Sequence, residues 1–403
     1  MTTTPLPAAA VRRPWRLIVV LGILEAFGPL SMDVYMPQLP HLAASLHTSD
    51  ALAQATMSAC MIGLGLGQLV AGPLSDRFGR RLPLLVGVIA FTLLSVACAF
   101  APNIQVLIIA RALQGLAGSA GMVISLAVAR DMFTGVELSR MLSLLMLVSG
   151  AAPIVAPLIG GQLAIFMDWR GVFGVLAATG LALTALVVFG LPETLPVARR
   201  HGGGVAELGR HLAAVLRDRL FMAVFAAGLI SGVAFFAYLS MSSFVLEGEF
   251  GFSPQLFSLF FAANAVANIA GGQISRLLVR RMGPLRMYLA GVLATAAAAI
   301  VLIVSVLVGA GVFGVLLSLC GFLFAVGLGG PNGSTLALSH HGARAGTASA
   351  FLGSGSLLLG PILVPLVSLL GVTSLTMAVT IAASCVAAAV VGWFLVRPAA
   401  QRG

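Results

Sequence analysis

Long apolar runs recur along the whole chain and are separated by short polar segments. Each run approaches about 20 residues, the length at which an α-helix crosses the roughly 30 Å hydrocarbon core of a bilayer. The runs are continuously apolar rather than alternating in polarity, which favours helices over the strands of a β-barrel. We predict twelve membrane-spanning helices, at residues 15–36, 51–72, 82–101, 104–126, 139–163, 170–191, 220–245, 254–275, 285–308, 311–334, 346–369 and 373–396.

The composition is that of an integral membrane protein. Hydrophobic residues make up 60% of the 403 residues, whereas charged residues make up 8%. A water-soluble domain of this size carries far more charge on its surface. The net charge of +10 therefore indicates arginines held on one side of a bilayer, and we expect the lipid bilayer rather than nucleic acid as a partner.

Arginine placement predicts the orientation of the chain. Alternate loops and both tails carry nearly all the arginines, and the opposite loops hold only Arg170. Because basic residues are retained on the cytoplasmic side, both termini are predicted to face the cytoplasm. Arginines before residues 17–36 are also typical of a signal peptide, but this run is too long for one and contains acids, so we interpret it as a retained span. The arginine-rich set includes Arg12, Arg13 and Arg16 before the first span and Arg77, Arg80 and Arg81 after the second.

A hydrophilic segment and an internal repeat divide the chain into two halves. Residues 192–218 form the longest hydrophilic stretch, with six predicted spans on either side. AGPLSDRFGRR at 71–81 aligns without gaps on GGQISRLLVRR at 271–281, although two basic loops can also coincide by chance. Internal repetition supports the division. We predict an N-terminal bundle at 1–191, a cytoplasmic linker at 192–219 and a C-terminal bundle at 220–403.

Three charged side chains lie inside predicted spans. Arg111 lies several residues inside the fourth span, where inserting a cation costs about 2.5 kcal/mol or more. Glu25 and Asp33 lie about 12 Å apart along one broad face of the first span. Ionisable groups at such depth are usually functional, and we expect Arg111 to be the basic partner of Asp33. The alternatives are that Arg111 snorkels to an interface and that the acids bond only to neighbouring helices.

The loop GPLSDRFGRR, residues 72–81, concentrates charge between the second and third spans. Glycine at 72 and 79 permits tight turning or close helix approach. A positive-inside loop accounts for the arginines but leaves Asp76 unexplained.

In the fifth span, SGAAPIVAPLIGG at 149–161 contains prolines that kink a helix and glycines that let helices approach, although generic helix packing explains it too.

The sequence lacks the usual signatures of metal and nucleotide sites. Its four cysteines are scattered singly within apolar runs, without a CxxC or a Cys/His cluster. No GxxxxGK[ST] loop occurs. We therefore expect neither a metal nor a nucleotide cofactor.

These motifs together resemble the major facilitator superfamily. GPLSDRFGRR matches its loop signature Gly-x-x-x-Asp-Arg-x-Gly-Arg-Arg at every fixed position, and RALQG at 111–115 resembles its helix-4 motif. The fifth span resembles the family's antiporter motif, with Ala156 in place of a glycine. DVYMPQLP at 33–40, DWRGVF at 168–173, LPETLP at 191–196 and AGTASAFLG at 345–353 resemble the Bcr/CflA branch, which includes bicyclomycin and chloramphenicol-type exporters.

The resemblance implies an all-α membrane protein with twelve helices in two six-helix bundles. It implies a cytoplasmic gate in which Asp76 holds the halves together when the inside is closed, and it associates Arg111 with proton transfer. The gate residues would be Gly72, Asp76, Arg77, Gly79, Arg80 and Arg81. The antiporter motif would be Pro153, Pro157, Gly160 and Gly161.

We therefore predict a monomeric proton-coupled antiporter of the bacterial cytoplasmic membrane, which exports small, largely hydrophobic drugs and uses no cofactor. Protons entering from outside would load Asp33 or Glu25 and displace the drug. The predicted substrate contacts are Glu25, Asp33, Tyr35, Met57, Phe236, Tyr238 and Asn264. An importer or facilitator of a small metabolite, a transport-inactive receptor or scaffold, and a membrane enzyme are the alternatives. The deep acids argue against the enzyme, whose catalytic groups would gather at a water interface.

Overall fold

The computed structural model describes residues 14–200, 215–341, 345–356 and 358–402 as an assembly of helices. In the first half of the chain these are α1 (Pro14–Asp33), α2 (Leu39–Ser45), α3 (Asp50–Phe78), α4 (Arg81–Ala99), α5 (Ile104–Met132), α6 (Gly135–Phe166) and α7 (Trp169–Gly190). In the second half they are α8 (Arg219–Ser243), α9 (Pro254–Met282), α10 (Pro284–Leu307), α11 (Gly311–Leu338), α12 (Ala345–Ser356), α13 (Leu359–Ser368), α14 (Ser374–Val391) and α15 (Arg397–Arg402).

Within the described part of the chain, nine helices are long and apolar enough to cross a membrane, and a bent pair at the start raises the number to ten. An all-helical membrane protein is thereby confirmed. The count of twelve stays a prediction. In the fifth and eleventh predicted spans, the fully described residues meet the criteria only for the shorter apolar helices Ile154–Phe166 and Leu359–Ser368. Arg12, Arg13 and residues 201–214 of the predicted linker lie outside the described residues.

The first predicted span is bent rather than straight. The segments Val19–Gly28 and Leu30–Ser45 lie at 46° to each other, so the bend is inside α1. α1 then ends at Asp33, and a 3-10 turn follows at Met36–Gln38. Pro37 lies in the first turn of the 3-10 segment and Pro40 in that of α2, where a missing N–H is tolerated. Asp33 is the last residue of α1, just before these two turns.

Polar caps determine where several spans begin. The side chains of Ser49, Asn103 and Ser253 each accept a hydrogen bond from a backbone N–H three residues later. Such a cap satisfies one of the N–H groups that a helix start leaves without an intrahelical partner. The long apolar helices α3, α5 and α9 follow these caps directly.

Glycines bring two helix pairs into backbone contact in the same way in each half. Gly63 of α3 lies against the backbone of α5, and Gly115 of α5 lies against the backbone of α3. Gly271 of α9 and Gly327 of α11 form the same reciprocal contact. A Cβ at any of these positions would collide with the neighbouring main chain, so the close crossing requires glycine.

Polar contacts join the two halves at the helix ends opposite the arginine-rich loops. The Ser368 hydroxyl of α13 donates to Oε1 of Gln54 in α3 at 2.6 Å. Nε2 of Gln255 in α9 donates to the carbonyl oxygen of Gly161 in α6 at 2.9 Å. At the arginine-rich end, the hydrogen bonds and ion pairs between described residues stay within one half. We call the opposite end, where Ser368 bonds to Gln54 and Gln255 bonds to Gly161, the closed end.

Candidate functional site

Arg111 is fully buried in the first half and is enclosed by aromatic rings. Its guanidinium lies 4.5 Å from the centroid of the Tyr35 ring and 5.4 Å from that of Phe173. Its Nη1 donates to Oε1 of Gln114 at 2.6 Å, and the Tyr35 hydroxyl is hydrogen-bonded to that of Thr56 at 2.9 Å. Nε and Nη2 of Arg111 form no hydrogen bond of good geometry with the described residues. Arg111 therefore faces the interior rather than snorkelling, with donors available for a ligand.

Asp33 lies close to the second half of the chain. It is 8% exposed at the end of α1, and the Tyr238 phenol of α8 is within electrostatic range of its carboxylate. Asn264 of α9 lies beside Tyr238. The buried Tyr238 hydroxyl and both polar atoms of the Asn264 amide form no hydrogen bond of good geometry within the described chain. Buried polar groups that are left unused in this way are typical of a ligand site.

The expected ion pair between Arg111 and Asp33 is not formed in this conformation, as far as the described residues show. The end of α1 at Asp33 is the reason. Because α1 ends there, the next turn of chain carries the Tyr35 ring, rather than the Asp33 carboxylate, against the guanidinium of Arg111.

Glu25 lies between α1 and α5. It is 7% exposed, and its Oε2 accepts a hydrogen bond from the Ser125 hydroxyl at 2.6 Å. The two acids of the first span are therefore in different surroundings. Asp33 is close to the second half, whereas Glu25 is bonded to a helix of its own half.

The remaining predicted substrate contacts are buried but do not all belong to one place. Met57 of α3 is fully buried, and Phe236 of α8 packs against Gly360 of α13 within the second half. A separate cavity of about 360 Å³ lies among α8, α10, α11, α12 and α14. Its walls include Phe225 and Tyr288 rather than the predicted substrate contacts.

Arg80 is at the centre of the loop 72–81. Its Nε donates to Oδ2 of Asp131 at 2.8 Å, and its Nη1 donates to the Ser75 hydroxyl at 2.8 Å and to the Asp76 carboxylate. Burial by itself lowers the pKa of Arg80, but the hydrogen bonds to Asp131 and Asp76 outweigh that effect and raise the pKa. The side chain of Asp131 is 18% exposed and that of Asp76 is 55% exposed. Asp131 is therefore the interior partner of Arg80, and Asp76 lies at its exposed edge.

Glu193, which follows α7, holds the same loop through main-chain contacts. Its Oε1 accepts from the backbone N–H groups of Arg80 at 2.8 Å and Leu195 at 3.0 Å, and its Oε2 accepts from that of Arg81 at 3.2 Å. Burial tends to raise the pKa of Glu193, but these N–H donors lower it overall. Gly79 has a φ of +90°, and a Cβ there would also collide with the Glu193 carboxylate. Glycine at 79 is thus required for two reasons.

The rest of the predicted gate is peripheral in this conformation. The Arg77 guanidinium lies 5.2 Å from the centroid of the neighbouring Phe78 ring, and Gly72 leaves room for a Cβ beside α5. In the second-half copy, Ser275 accepts a hydrogen bond from Asn332 at 2.7 Å. Arg276 and Arg280, which align with Asp76 and Arg80, are both exposed. The copy therefore lacks the buried arginine that organises the first loop.

The glycines of the antiporter motif lie at contacts of α6 with other helices. A Cβ on Gly160 would collide with the carbonyl oxygen of Val34, and one on Gly161 would collide with α9 of the other half. Pro157 is buried in the same helix, and the side chain of Pro153 lies outside the described atoms. These glycines allow α6 to touch both the end of α1 and the second half.

Sequence reasoning overlooked Asp131 and Glu193 as site residues. Both are acids at the end of the molecule where arginines are concentrated, and this exception to the charge pattern was the available signal. It also overlooked Gln54 and Ser368 as a contact between the halves, because their helices are far apart in sequence.

Comparison with known proteins agrees with this geometry. The family model described as Major Facilitator Superfamily matches residues 21–365. The chain is 39% identical to the uncharacterized MFS-type transporter YdgK of Bacillus subtilis, over 90% of each chain. It is 30% identical to a chloramphenicol resistance protein of Pseudomonas aeruginosa, over 88% of this chain and 84% of the relative. The crystal structure of a D-xylose–proton symporter superposes with a TM-score of 0.77 at 16% identity, over 95% of this chain and 98% of the symporter.

The match to the family model extends over most of the chain, and it coincides with the apolar helices and the paired glycine crossings. The expected absence of enzymatic function agrees with the family, whose members move solutes across membranes. The chain belongs to the Major Facilitator Superfamily and is a multi-pass transporter of the bacterial inner membrane.

Proposed function

We propose that this transporter exports small, largely hydrophobic drugs from the cytoplasm in exchange for protons. A relative that is 30% identical over most of its length is named a chloramphenicol resistance protein, which supports a drug as the substrate. The export direction is supported by the proline- and glycine-rich motif on α6, where Gly160 and Gly161 make its close helix contacts. The transporter would act as a monomer without a cofactor, driven by the proton gradient.

The proposal includes a specific arrangement in the membrane. Twelve spans would form two six-helix bundles, at 1–191 and 220–403, joined by a cytoplasmic linker at 192–219. With both termini in the cytoplasm, the closed end faces the outside and the arginine-rich loops face the cytoplasm. This conformation is then open towards the inside, and alternating access would proceed by rocking one bundle against the other.

The surroundings of Asp33 carry the proposal. This acid is almost buried at the end of α1, where Tyr238 of the other half is within electrostatic range. Ionised Asp33 favours water or a cation, whereas protonated Asp33 tolerates an apolar environment. Because rocking the halves changes what surrounds it, the carboxyl can take up a proton on one side and release it on the other.

The neighbouring groups suggest a division of roles. The unused polar atoms of Tyr238 and Asn264 provide hydrogen bonds for a polar group on a largely apolar drug. Nε and Nη2 of Arg111 lack a hydrogen bond of good geometry within the described chain, and the guanidinium supplies positive charge that favours ionised carboxylates nearby. Glu25, bonded to Ser125 within its own half, would set which cationic drugs are accepted.

The decisive experiment measures proton release from purified protein in detergent when a drug binds. The drug is first chosen with a susceptibility panel in an exporter-deleted host. Wild type should release protons, and Asp33→Asn should lose the release while retaining some drug binding. Glu25→Gln should mainly change the response to cationic drugs. Glu137→Gln, which alters an exposed acid at the start of α6, should match wild type.

Undiminished proton release from Asp33→Asn would remove Asp33 from the mechanism. Counterflow in inverted membrane vesicles tests the direction of transport separately. Drug accumulation inside inverted vesicles is expected for an exporter, whereas accumulation only in right-side-out vesicles would indicate an importer.

A further inference from the structure

Glu247 is a half-buried acid to which the proposed transport mechanism gives no role. It lies in a π-helical segment, Phe244–Glu249, that extends the end of α8. Both of its carboxylate oxygens are buried and form no hydrogen bond with any described group. π-Helical turns are rare and occur frequently at functional sites.

The π-helical segment is part of the contact between the halves at the closed end. It packs against α2, the short helix that follows α1 and the 3-10 turn. The hydrogen bonds from Ser368 to Gln54 and from Gln255 to Gly161 hold the halves together at the same end. Separating the halves there would remove α2 from the segment and admit water to Glu247.

No neighbouring charge compensates Glu247 in the described structure. On α2 the ionisable residue is His41, whose side chain is exposed. On the π-helical segment itself, Glu249 is exposed and its Oε1 accepts a hydrogen bond from the backbone N–H of Ser374 at 2.8 Å. The part of α9 that reaches this end, residues 254–275, contains no ionisable side chain. The part of α8 next to the segment, residues 232–243, carries only the buried phenol of Tyr238 and no charged side chain. An ionised carboxylate without a partner is strongly disfavoured in such a place.

We propose that Glu247 is a second proton-binding site, which is neutral while the closed end is shut and ionised when that end opens to the outside. Closure then takes one proton from the external water onto the carboxylate oxygen, and opening returns it. The inference rests on the orientation proposed above, and it does not require Asp33 to carry a proton. External acidity would favour closure, with the ratio of closed to open molecules changing up to tenfold per pH unit for one coupled proton.

Hydrogen exchange of the protein in lipid nanodiscs tests the proposal without any drug. The measured peptides cover residues 39–45 and 244–249, at pH 5.5 and pH 8, after correction for the intrinsic exchange rate. Wild type should lose protection in both peptides at the higher pH. Glu247→Gln, which keeps the side-chain shape but cannot ionise, should stay protected at both pH values. Glu249→Gln changes an exposed acid in the same segment and should behave as wild type.

An absence of pH dependence in wild type would overturn the proposal and needs no variant to detect. Wild-type pH dependence in Glu247→Gln, or its loss in Glu249→Gln, would overturn the assignment to Glu247. The same measurement in Asp33→Asn separates the two proton sites. The pH dependence should persist there, whether or not that variant still releases protons when drug binds, and its loss would assign the effect to Asp33 instead.

Discussion

Asp131, rather than Asp76, is predicted to hold the arginine-rich loop in place. The matched perturbations are Asp131→Asn and Asp76→Asn, which each remove one negative charge next to Arg80 without changing the shape of the side chain. Asp131 and Arg80 are largely buried and joined at 2.8 Å, whereas Asp76 is 55% exposed. The two substitutions should therefore have unequal effects on stability.

The expected magnitudes follow from this difference in burial. Removing one partner of a fully buried pair costs about 3–5 kcal/mol. Asp131 is 18% exposed and asparagine keeps one acceptor oxygen, so we expect a smaller loss for Asp131→Asn, about 1–2 kcal/mol. An exposed pair four residues apart in sequence contributes about 0.3–0.5 kcal/mol, which is the expected loss for Asp76→Asn.

Thermal unfolding of the purified variants, followed by tryptophan fluorescence, measures the difference. Asp131→Asn should unfold at a clearly lower temperature than wild type, and Asp76→Asn should lie close to wild type. Asp76→Asn should nevertheless impair drug transport by shifting the balance between inward and outward conformations. Arg276→Ala, in the weaker second copy of the loop, should have a milder transport defect.

Two results would refute the reasoning. Equal destabilisation by Asp131→Asn and Asp76→Asn would show that Asp76 is as deeply engaged as Asp131. Equal transport defects in well-expressed Asp76→Asn and Arg276→Ala would show that the two copies of the loop do not differ in function.

Further predictions concern the aromatic arginine site, the motif on α6 and the loop after α7. Arg111→Ala should abolish drug-driven proton release. Arg111→Lys should retain only part of that release, because lysine lacks the planar guanidinium. Full drug resistance in cells that express Arg111→Ala would contradict this prediction. Gly160→Ala should reduce transport in vesicles because its Cβ collides with the Val34 carbonyl, whereas Gly174→Ala, in open space on α7, should not. Folding lowers the pKa of Glu193, so its ionised carboxylate stabilises the folded state above the unfolded-state pKa of about 4.3. This stability is lost as the pH falls through the pKa of the folded state. Thermal unfolding between pH 7 and 3 should therefore show a weaker acid dependence in Glu193→Gln, and an unchanged profile would contradict this.

The sequence by itself determined the class of the protein and the position of its unusual charges. Continuous apolar runs of span length identify membrane helices because the requirement to cross the bilayer acts on each segment separately. Glu25, Asp33 and Arg111 stand out for the same reason, since a charge inside an apolar run is costly wherever the run packs. The loop at 72–81 could also be found, because its residues are contiguous in sequence.

Only the tertiary structure decided which groups act together. Arg80 pairs with Asp131, 51 positions away, and its backbone is held by Glu193, 113 positions away. Arg111 meets Tyr35 rather than Asp33 because α1 ends at Asp33 and the following turn carries the Tyr35 ring. The isolation of Glu247 likewise depends on packing at the closed end. Hydropathy acts locally along the chain, whereas the partner and the solvation of a charge depend on residues that only helix packing brings near.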